Sequence, residues 1–406
     1  MESWWLPFVA LFAASLIVTL LATPLARKIA WRVGAVDYPN KRRVNKEPVP
    51  RMGGIAVFCA LTVGLALQML GPSLFGWPLA FATCGIGRIN YVLVYLSFVI
   101  IFVTGLVDDK LSLKPWQKFL GQLLAACVAV AGGLVIDTVV NPLQNTGFEL
   151  DLAGYPITVL YLVAYANIFN LIDGLDGLSS GIACIASITM WVVSTMSGHI
   201  GAASLAIILC GATLGFLRYN FHPASIFLGD SGSLTIGFVL GSISLLSVSR
   251  IAGLTSIIVP LVVAGIPIID TLSAIVRRGR AHVSIGQADK GHIHHRLLGE
   301  GFNQRQTVLV MYVWTAILCA GAILMTQVPV MPRIIIFIVL IIASGLFAAH
   351  LHLFEPVLLH HYDPKTGKDE LVAPQDPEFK IEAEKLEERH EEHLRHLTGY
   401  RPPNQD

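Results

Sequence analysis

Acids, amides, histidines and basic residues gather in a few short stretches of an otherwise apolar chain. Asp108 and Asp109 stand side by side in GLVDDKLSLKPWQK, and Asp173 and Asp176 are three apart in NIFNLIDGLDGLSSG. Asp230 lies in NFHPASIFLGDSGSL, and His292, His294, His295 and Arg296 in HIHHR. Adjacent carboxylates repel, so Asp108 and Asp109 stay ionised together only beside a metal or a basic group such as Lys110, Lys114 or Lys118. The spacing of Asp173 and Asp176 predicts that both lie on one side of a starting helical turn. A carboxylate set suits Mg²⁺, with Mn²⁺ as a substitute, because a hard ion takes oxygen ligands and shares them with substrate phosphates. Gly229 and Gly232 flank Asp230 at a predicted helix N-terminus, where free N–H groups and the dipole favour phosphate. Histidine is a poor Mg²⁺ ligand. HIHHR is therefore read as binding phosphate oxygens or a nucleotide, or as shuttling a proton. Taken singly, each motif has an ordinary explanation: a solvated helix cap for Asp-Asp, a loop for DGLDG, a zinc-like cluster for HIHHR. Their common placement is what gives them weight.

The elements that must hold these residues are membrane helices. Of 406 residues, 54% are hydrophobic and 14% charged, against about 25% charged in a soluble domain. That deficit excludes a typical cytosolic enzyme, a disordered chain and a disulfide scaffold. The net charge of +1 gives no pull toward nucleic acid. Apolar runs at 4–26, 52–71, 91–107, 119–140, 156–172, 178–198, 203–219, 232–249, 255–275, 306–326 and 333–353 predict about 11 transmembrane helices in an all-α polytopic protein. The first run is too long, and lacks the small-residue cleavage pattern, for a removed signal peptide. Trp4 and Trp5 read as interfacial anchors at its outer end.

Sidedness follows from Lys and Arg. The segments 27–51, 108–118, 218–231 and 276–305 carry eighteen, whereas the opposite face has Arg88, Arg250 and Arg333. The positive-inside rule places the richer set in the cytoplasm and the N-terminus outside. All four acid- and histidine-bearing stretches then fall on the cytoplasmic side. Two domains are expected: a transmembrane catalytic domain, 1–354, and a cytoplasmic acidic helical tail, 355–406. The tail holds 13 of the 27 acidic residues. Within it, Asp376-Pro377 starts a charged helix over 378–397, and His390, His393 and His396 share a solvated stripe. Five cysteines in apolar runs (Cys59, Cys127, Cys184, Cys210, Cys319) read as packing residues. Asp270 is within sequence reach of Arg277 or Arg278 as a partner and is read as structural or as supporting a residue that touches substrate, and Asp137 as interfacial.

At RMGGIAVF (51–58), GLVDDKLSLKPWQKFLGQ (105–122), NIFNLIDGLDGLSSG (167–181), FLGDSGSLTIGF (227–238) and GHIHHRLL (291–298), the chain resembles the polyprenyl-phosphate N-acetylhexosamine-1-phosphate transferase superfamily, also called glycosyltransferase family 4. The likeness spans nearly all of 1–330, and HIHHR is similar to the branch that uses UDP-N-acetylglucosamine. The acidic tail is no part of that pattern. The resemblance implies a multi-pass enzyme of the bacterial inner membrane, active at its cytoplasmic face. It would transfer N-acetylglucosamine-1-phosphate from UDP-GlcNAc to undecaprenyl phosphate, with UMP leaving, the priming step of a cell-envelope polysaccharide such as lipopolysaccharide or teichoic acid. Phospho-MurNAc-pentapeptide transfer, or another UDP-N-acetylhexosamine donor, is the alternative.

By the same resemblance Asp230 would hold Mg²⁺ and Phe227 would stack on uracil. Asp173, Asp176 and Asn170 would line the nucleotide site, with Asn167 and Asn220 among the substrate-binding residues. Asp108 and Asp109 would handle the lipid phosphate, by deprotonating it or by orienting it through Lys118. His292, His294, His295 and Arg296 would hold the sugar-phosphate side, with Lys46 or Arg51 adding positive charge. Direct attack by the lipid phosphate and a covalent aspartyl route both stay open. The family also implies a homodimer. A transporter would instead place its ionisable residues near the midplane in two repeated halves, and no repeat is found. A silent scaffold is the other rival, and it would tolerate Asp230→Asn.

Overall fold

The computed structural model describes residues 5–38, 47–79, 89–140, 147–247, 255–280, 291–354, 359–363 and 368–372. Among these, α1 is Leu6–Val33, followed by β1 Val36–Asp37, β2 Val49–Pro50, α2 Gly54–Phe75, α3 Tyr91–Leu111 and α4 Pro115–Ala131. Next come β3 Thr138–Val140, β4 Gly147–Glu149, α5 Gly154–Ile172, α6 Leu178–Met196, α7 Ile200–Asn220 and α8 Gly229–Leu246. The chain ends with α9 Thr255–Val263, α10 Gly265–Arg280, α11 Ile293–Gly299, α12 Gln304–Gln327, α13 Val330–His350, β5 Leu359–Asp363 and β6 Lys368–Val372. The strands form three antiparallel two-stranded ladders, β1–β2, β3–β4 and β5–β6. Nine of the described helices (α1, α2, α3, α5, α6, α7, α8, α12 and α13) are long and apolar enough to cross a bilayer. The protein is an all-α polytopic membrane protein.

Two of the eleven apolar runs differ from single spanning helices. The run 119–140 yields α4, of 17 residues, which stops at Gly132-Gly133, with Gly133 at φ +94°. There the chain leaves the helix at low steric cost and turns into β3. The run 255–275 is broken at Ala264 into α9 and α10. Gly265 and Pro267 follow the break, and Pro267 has no N–H to return to residue 263.

The chain divides into two compact units. The first comprises Met1–Asp37, Val49–Ile268 and Phe302–Ser344. Its most enclosed helices are α7 and α8, 83% buried over their apolar windows, against 6% for α13. Apolar surface gains little by leaving lipid for protein, so close backbone approach and satisfied polar groups have to hold such a bundle. Gly105 of α3 lies directly against the backbone of Asp230 and Ser231, and Gly237 of α8 against the Tyr165 carbonyl. Thr213, Thr235 and Ser242 return their hydroxyls to carbonyls four residues back, which satisfies them within their own helices. The second unit comprises Tyr38–Pro48, Ile269–Gly301 and Gly345–Asp406. It contains the later part of α10, the short α11 and the β5–β6 ladder.

Candidate active site

In the first unit, four helix ends converge on one ammonium group. α3 closes with Ser112 in the left-handed region, φ +49°, and α4 restarts where Gln117 Oε1 accepts from the Lys114 N–H at 3.0 Å. That tight reversal sets Lys118, one turn into α4, across from Asp108 near the end of α3. Lys118 Nζ lies 3.1 Å from Asp108 Oδ2 and 2.6 Å from Asp230 Oδ2, and donates to Asn170 Oδ1 at 2.9 Å. All three ammonium protons therefore have an acceptor. Asn170 near the end of α5 completes the ring: its Nδ2 donates to Asp230 Oδ1 at 2.7 Å and to Ser233 Oγ at 2.8 Å. Asp108 Oδ1 also accepts from the Leu113 N–H at 2.7 Å. Of the basic groups expected to neutralise the Asp-Asp pair, Lys118 is the one that meets Asp108.

Asp109 is 2% exposed and has a different task. Its Oδ1 accepts from the Asp230 N–H at 2.8 Å; its Oδ2 accepts from the Ser231 N–H at 3.1 Å and the Ser231 hydroxyl at 2.5 Å. A carboxylate of α3 thus caps the N-terminus of α8. The expectation that these N–H groups are free for a phosphate is corrected here, because a protein anion already satisfies them. Arg51 binds the same corner from outside, with Nε on the Asp109 carbonyl at 3.0 Å and Nη2 on Ser112 Oγ at 3.3 Å. Its position follows from the backbone: Phe227 N–H donates to the Pro50 carbonyl at 2.8 Å, and Gly53 N–H to the Phe227 carbonyl at 3.0 Å. Phe227 is half-buried beside Asp230 in sequence.

The DGLDG segment is a turn between α5 and α6 and starts no helix. Asp173 ends α5 with ψ +47°, and Gly177 takes φ +80°, so the two acids do not share a helical face. Asp176 turns to a neighbour, accepting from the Ala224 N–H at 3.0 Å with His222 Nδ1 2.8 Å from the same oxygen. Asn220 braces the turn: its Oδ1 accepts from the Gly177 N–H and the Ser180 hydroxyl, and its Nδ2 donates to the Ile226 carbonyl. Asn167 exchanges two hydrogen bonds with Gln122, at 2.7 and 3.2 Å, and donates to the Val163 carbonyl. Asp173 makes no hydrogen bond through its carboxyl among the described residues. Burial pushes that carboxyl well above the usual range, and the charges of Asp230, Asp109 and Asp176 push it the same way.

In the second unit, Asp270 pairs with His292, whereas sequence proximity pointed to Arg277 or Arg278. His292 Nδ1 is 2.8 Å from Asp270 Oδ2, and the Ile293 N–H donates to Oδ1 at 2.7 Å. Arg277 instead directs Nη1 to Ser273 Oγ and the Leu353 carbonyl. His294 and His295 follow on α11, their ring centroids 4.3 Å apart, and Arg296 sits in the same turn. Lys46, Arg88, Arg250 and the tail helix 378–397 with its histidines lie outside the described residues.

A family model described as glycosyl transferase family 4 matches residues 91–248. Over 340 residues the chain is 38% identical to a probable undecaprenyl-phosphate N-acetylglucosaminyl 1-phosphate transferase of Bacillus subtilis, covering 84% of this chain and 91% of the relative. The chain belongs to glycosyl transferase family 4. A decaprenyl-phosphate N-acetylglucosaminephosphotransferase of Mycobacterium tuberculosis is 37% identical over 339 residues, covering 78% of this chain and 81% of that one. A phospho-N-acetylmuramoyl-pentapeptide-transferase of Shouchella clausii is 32% identical over 312 residues, with 74% and 91% covered. The family match runs from α3 to α8, the stretch of chain that carries Asp108, Lys118, Asn170, Asp173, Asp176 and Asp230. Sequence reasoning passed over His222, Gln122, Ser231 and Ser233. His222 stood inside a quoted motif, but nothing in the spacing shows that it reaches Asp176, 46 residues away.

Proposed function

We propose that this chain transfers N-acetylglucosamine-1-phosphate from UDP-GlcNAc to undecaprenyl phosphate, releasing UMP, at the cytoplasmic face of the bacterial inner membrane. The observation that carries this reading is Lys118, held between Asp108 and Asp230 where α3, α4, α5 and α8 end together. Two phosphate-bearing substrates, one lipid-bound and one cytosolic, meet where helix ends reach the membrane surface. Phosphoryl transfer depends chiefly on positioning and charge neutralisation, and a lysine between two acids supplies a fixed positive charge beside acceptors. The names of the Bacillus and Mycobacterium relatives, an undecaprenyl-phosphate and a decaprenyl-phosphate N-acetylglucosamine-phosphate transferase, support a polyprenyl phosphate as acceptor and N-acetylglucosamine phosphate as the group moved, and the Lys and Arg distribution supports the cytoplasmic side. A homodimer, which the family resemblance implies, belongs to the same proposal.

Mg²⁺ fits the donor set. No three acids, histidines or cysteines enclose a metal among the described residues, and Mg²⁺ needs only one or two carboxylates, with water and phosphate completing its shell. Asp230, one-third exposed, and Asp173, a carboxylate without a donor among the described residues and amid three other acids, are where a cation relieves repulsion. The ion's contribution is to neutralise pyrophosphate charge. Lys118 keeps Asp230 in place, Asn170 fixes its second oxygen, and Asp108, oriented by the Leu113 N–H, is the carboxylate offered to the lipid phosphate.

The test uses the purified chain in detergent with undecaprenyl phosphate and UDP-GlcNAc, reading UMP and lipid-linked product with Mg²⁺ or with EDTA. Mg²⁺-dependent UMP release is expected. Release from UDP-MurNAc-pentapeptide alone would move the chain to the other branch, and silence with every UDP-sugar would overturn the reading. A second readout needs no turnover: Mg²⁺ should raise the Tm of the wild type and not that of Asp230→Asn.

A further inference from the structure

The halves of α2 and α3 farther from Asp108 part around a cavity of about 390 Å³ within the first unit. Its wall is apolar, with Leu65, Ala66 and Met69 from α2, Val94 and Phe98 from α3, and Leu205 from α7. No lining residue is charged. The polar groups in the wall are turned to protein. Gln68, 2% exposed, donates to the Gly201 carbonyl at 3.1 Å. Thr62 has one hydroxyl proton, which goes to the Phe58 carbonyl at 2.9 Å, so the Tyr95 hydroxyl donates to Thr62 Oγ1 at 3.1 Å. What faces an occupant is hydrocarbon. Val92 and Ala66 are exposed members of the wall, so the cavity opens at the surface of the bundle. An unfilled void between spanning helices forfeits the packing contacts that hold a membrane bundle together.

Toward the site, the seam between α2 and α3 continues as aromatic rings. Phe58 stacks on Phe102 with centroids 4.1 Å and planes 3° apart, and lies 6.3 Å from the Tyr95 ring in the cavity wall. Phe58 and Phe102 are half-buried, which leaves the seam an accessible apolar edge. Along α3 at 1.5 Å per residue, Phe102 is about 9 Å from Asp108, Phe98 about 15 Å and Tyr91 about 25 Å. An uncharged path thus leads from the carboxylate offered to the lipid phosphate to a cavity on the other half of the same helix. A phospholipid entering from the far end would bring its headgroup to a wall that supplies no charge to hold it. A chain tethered by its phosphate near Asp108 arrives from the opposite direction and needs none.

We propose that this cavity is a subsite for the distal part of the acceptor's polyprenyl tail, reached along the α2–α3 seam while the phosphate is at Asp108. The proposal rests on the function proposed above and adds to it how the length of the acceptor is read. Kinetics in detergent compare undecaprenyl phosphate with geranyl phosphate, whose two isoprene units are shorter than the path along the seam. If neither acceptor releases UMP with any UDP-sugar, it is the function that fails. Given turnover, the wild type should favour the long acceptor. Ala66→Trp, which places an indole in open volume, should keep the wild-type Tm and lower the ratio of kcat/KM for the long over the short acceptor roughly tenfold. Binding is read without turnover: undecaprenyl phosphate carrying a diazirine at its ω end, in nanodiscs, should label peptides 62–69 and 91–98, and unmodified undecaprenyl phosphate should compete. Labelling decides alone if Ala66→Trp loses Tm. Equal use of both acceptors by the wild type, an unchanged ratio in a folded Ala66→Trp, or label elsewhere in the chain overturns the tail subsite and leaves the function standing. Labelling of the same peptides by a photoactive phospholipid that undecaprenyl phosphate does not displace assigns the cavity to a bilayer lipid and overturns it as well.

Discussion

The three acceptors of the Lys118 ammonium come from three different helices, and two of them are carboxylates that it neutralises. Lys118→Met leaves Asp108 and Asp230 facing each other without a cation, and kcat is expected to fall by about 10²- to 10³-fold, read by UMP release from protein that still elutes as a folded species. Lys118→Arg should recover only a small part, because a planar fork cannot address three acceptors gathered around one point. Asp173 provides a test by pH. Its carboxyl is raised in the folded protein, so the native state holds a proton that the unfolded chain gives up near its ordinary value. Stability from this group is therefore intact at low pH and declines as pH rises toward the raised value. Asp173→Asn should raise Tm at pH 8 and leave it little changed at pH 4, by thermal unfolding in detergent without Mg²⁺. At this scale the sequence exposed the acids but not their partners. Asp108 with Lys118 is ten residues apart and legible; Asp109 with Ser231, or Asp176 with His222, joins segments that no local pattern connects.

At the scale of elements, the contact between α3 and α8 organises the site. Asp109 caps α8 while Gly105, one turn earlier, lets the two backbones touch. Asp109→Ala strips a carboxylate from two buried N–H groups and a hydroxyl, with an expected cost of about 1–3 kcal/mol, measurable as a Tm decrease. Gly105→Ala places a methyl against the Asp230 and Ser231 backbone. It should depress both Tm and turnover, since separating α3 from α8 also separates Asp108 from Asp230. Most helices could be placed from apolar length alone, because hydrocarbon leaves a backbone no partner but itself. The DGLDG segment could not. Its i, i+3 spacing suits a helical turn, yet Gly177 at positive φ and the Asn220 brace keep it a turn, and that brace arrives from the end of α7. The break at Ala264 was likewise hidden inside a run whose hydropathy continues across it.

For the whole molecule, the open quantity is orientation. Single cysteines at Glu47→Cys and Leu79→Cys, on opposite ends of α2, should react with a membrane-impermeant maleimide from opposite sides in oriented vesicles, residue 47 from the cytoplasmic side. The reverse result would overturn the cytoplasmic site, whatever the enzyme does in detergent. The sequence by itself determined the class of protein, most of the spans, and the gathering of acids and basic residues at one set of helix ends. Those properties follow from transfer free energies and charge asymmetry, which are sums over composition. Only the tertiary structure decided which carboxylate faces a lysine, which caps a helix and which is left without a donor. Those roles depend on side chains from separate helices meeting within hydrogen-bond distance, and glycine contacts between helices set that distance.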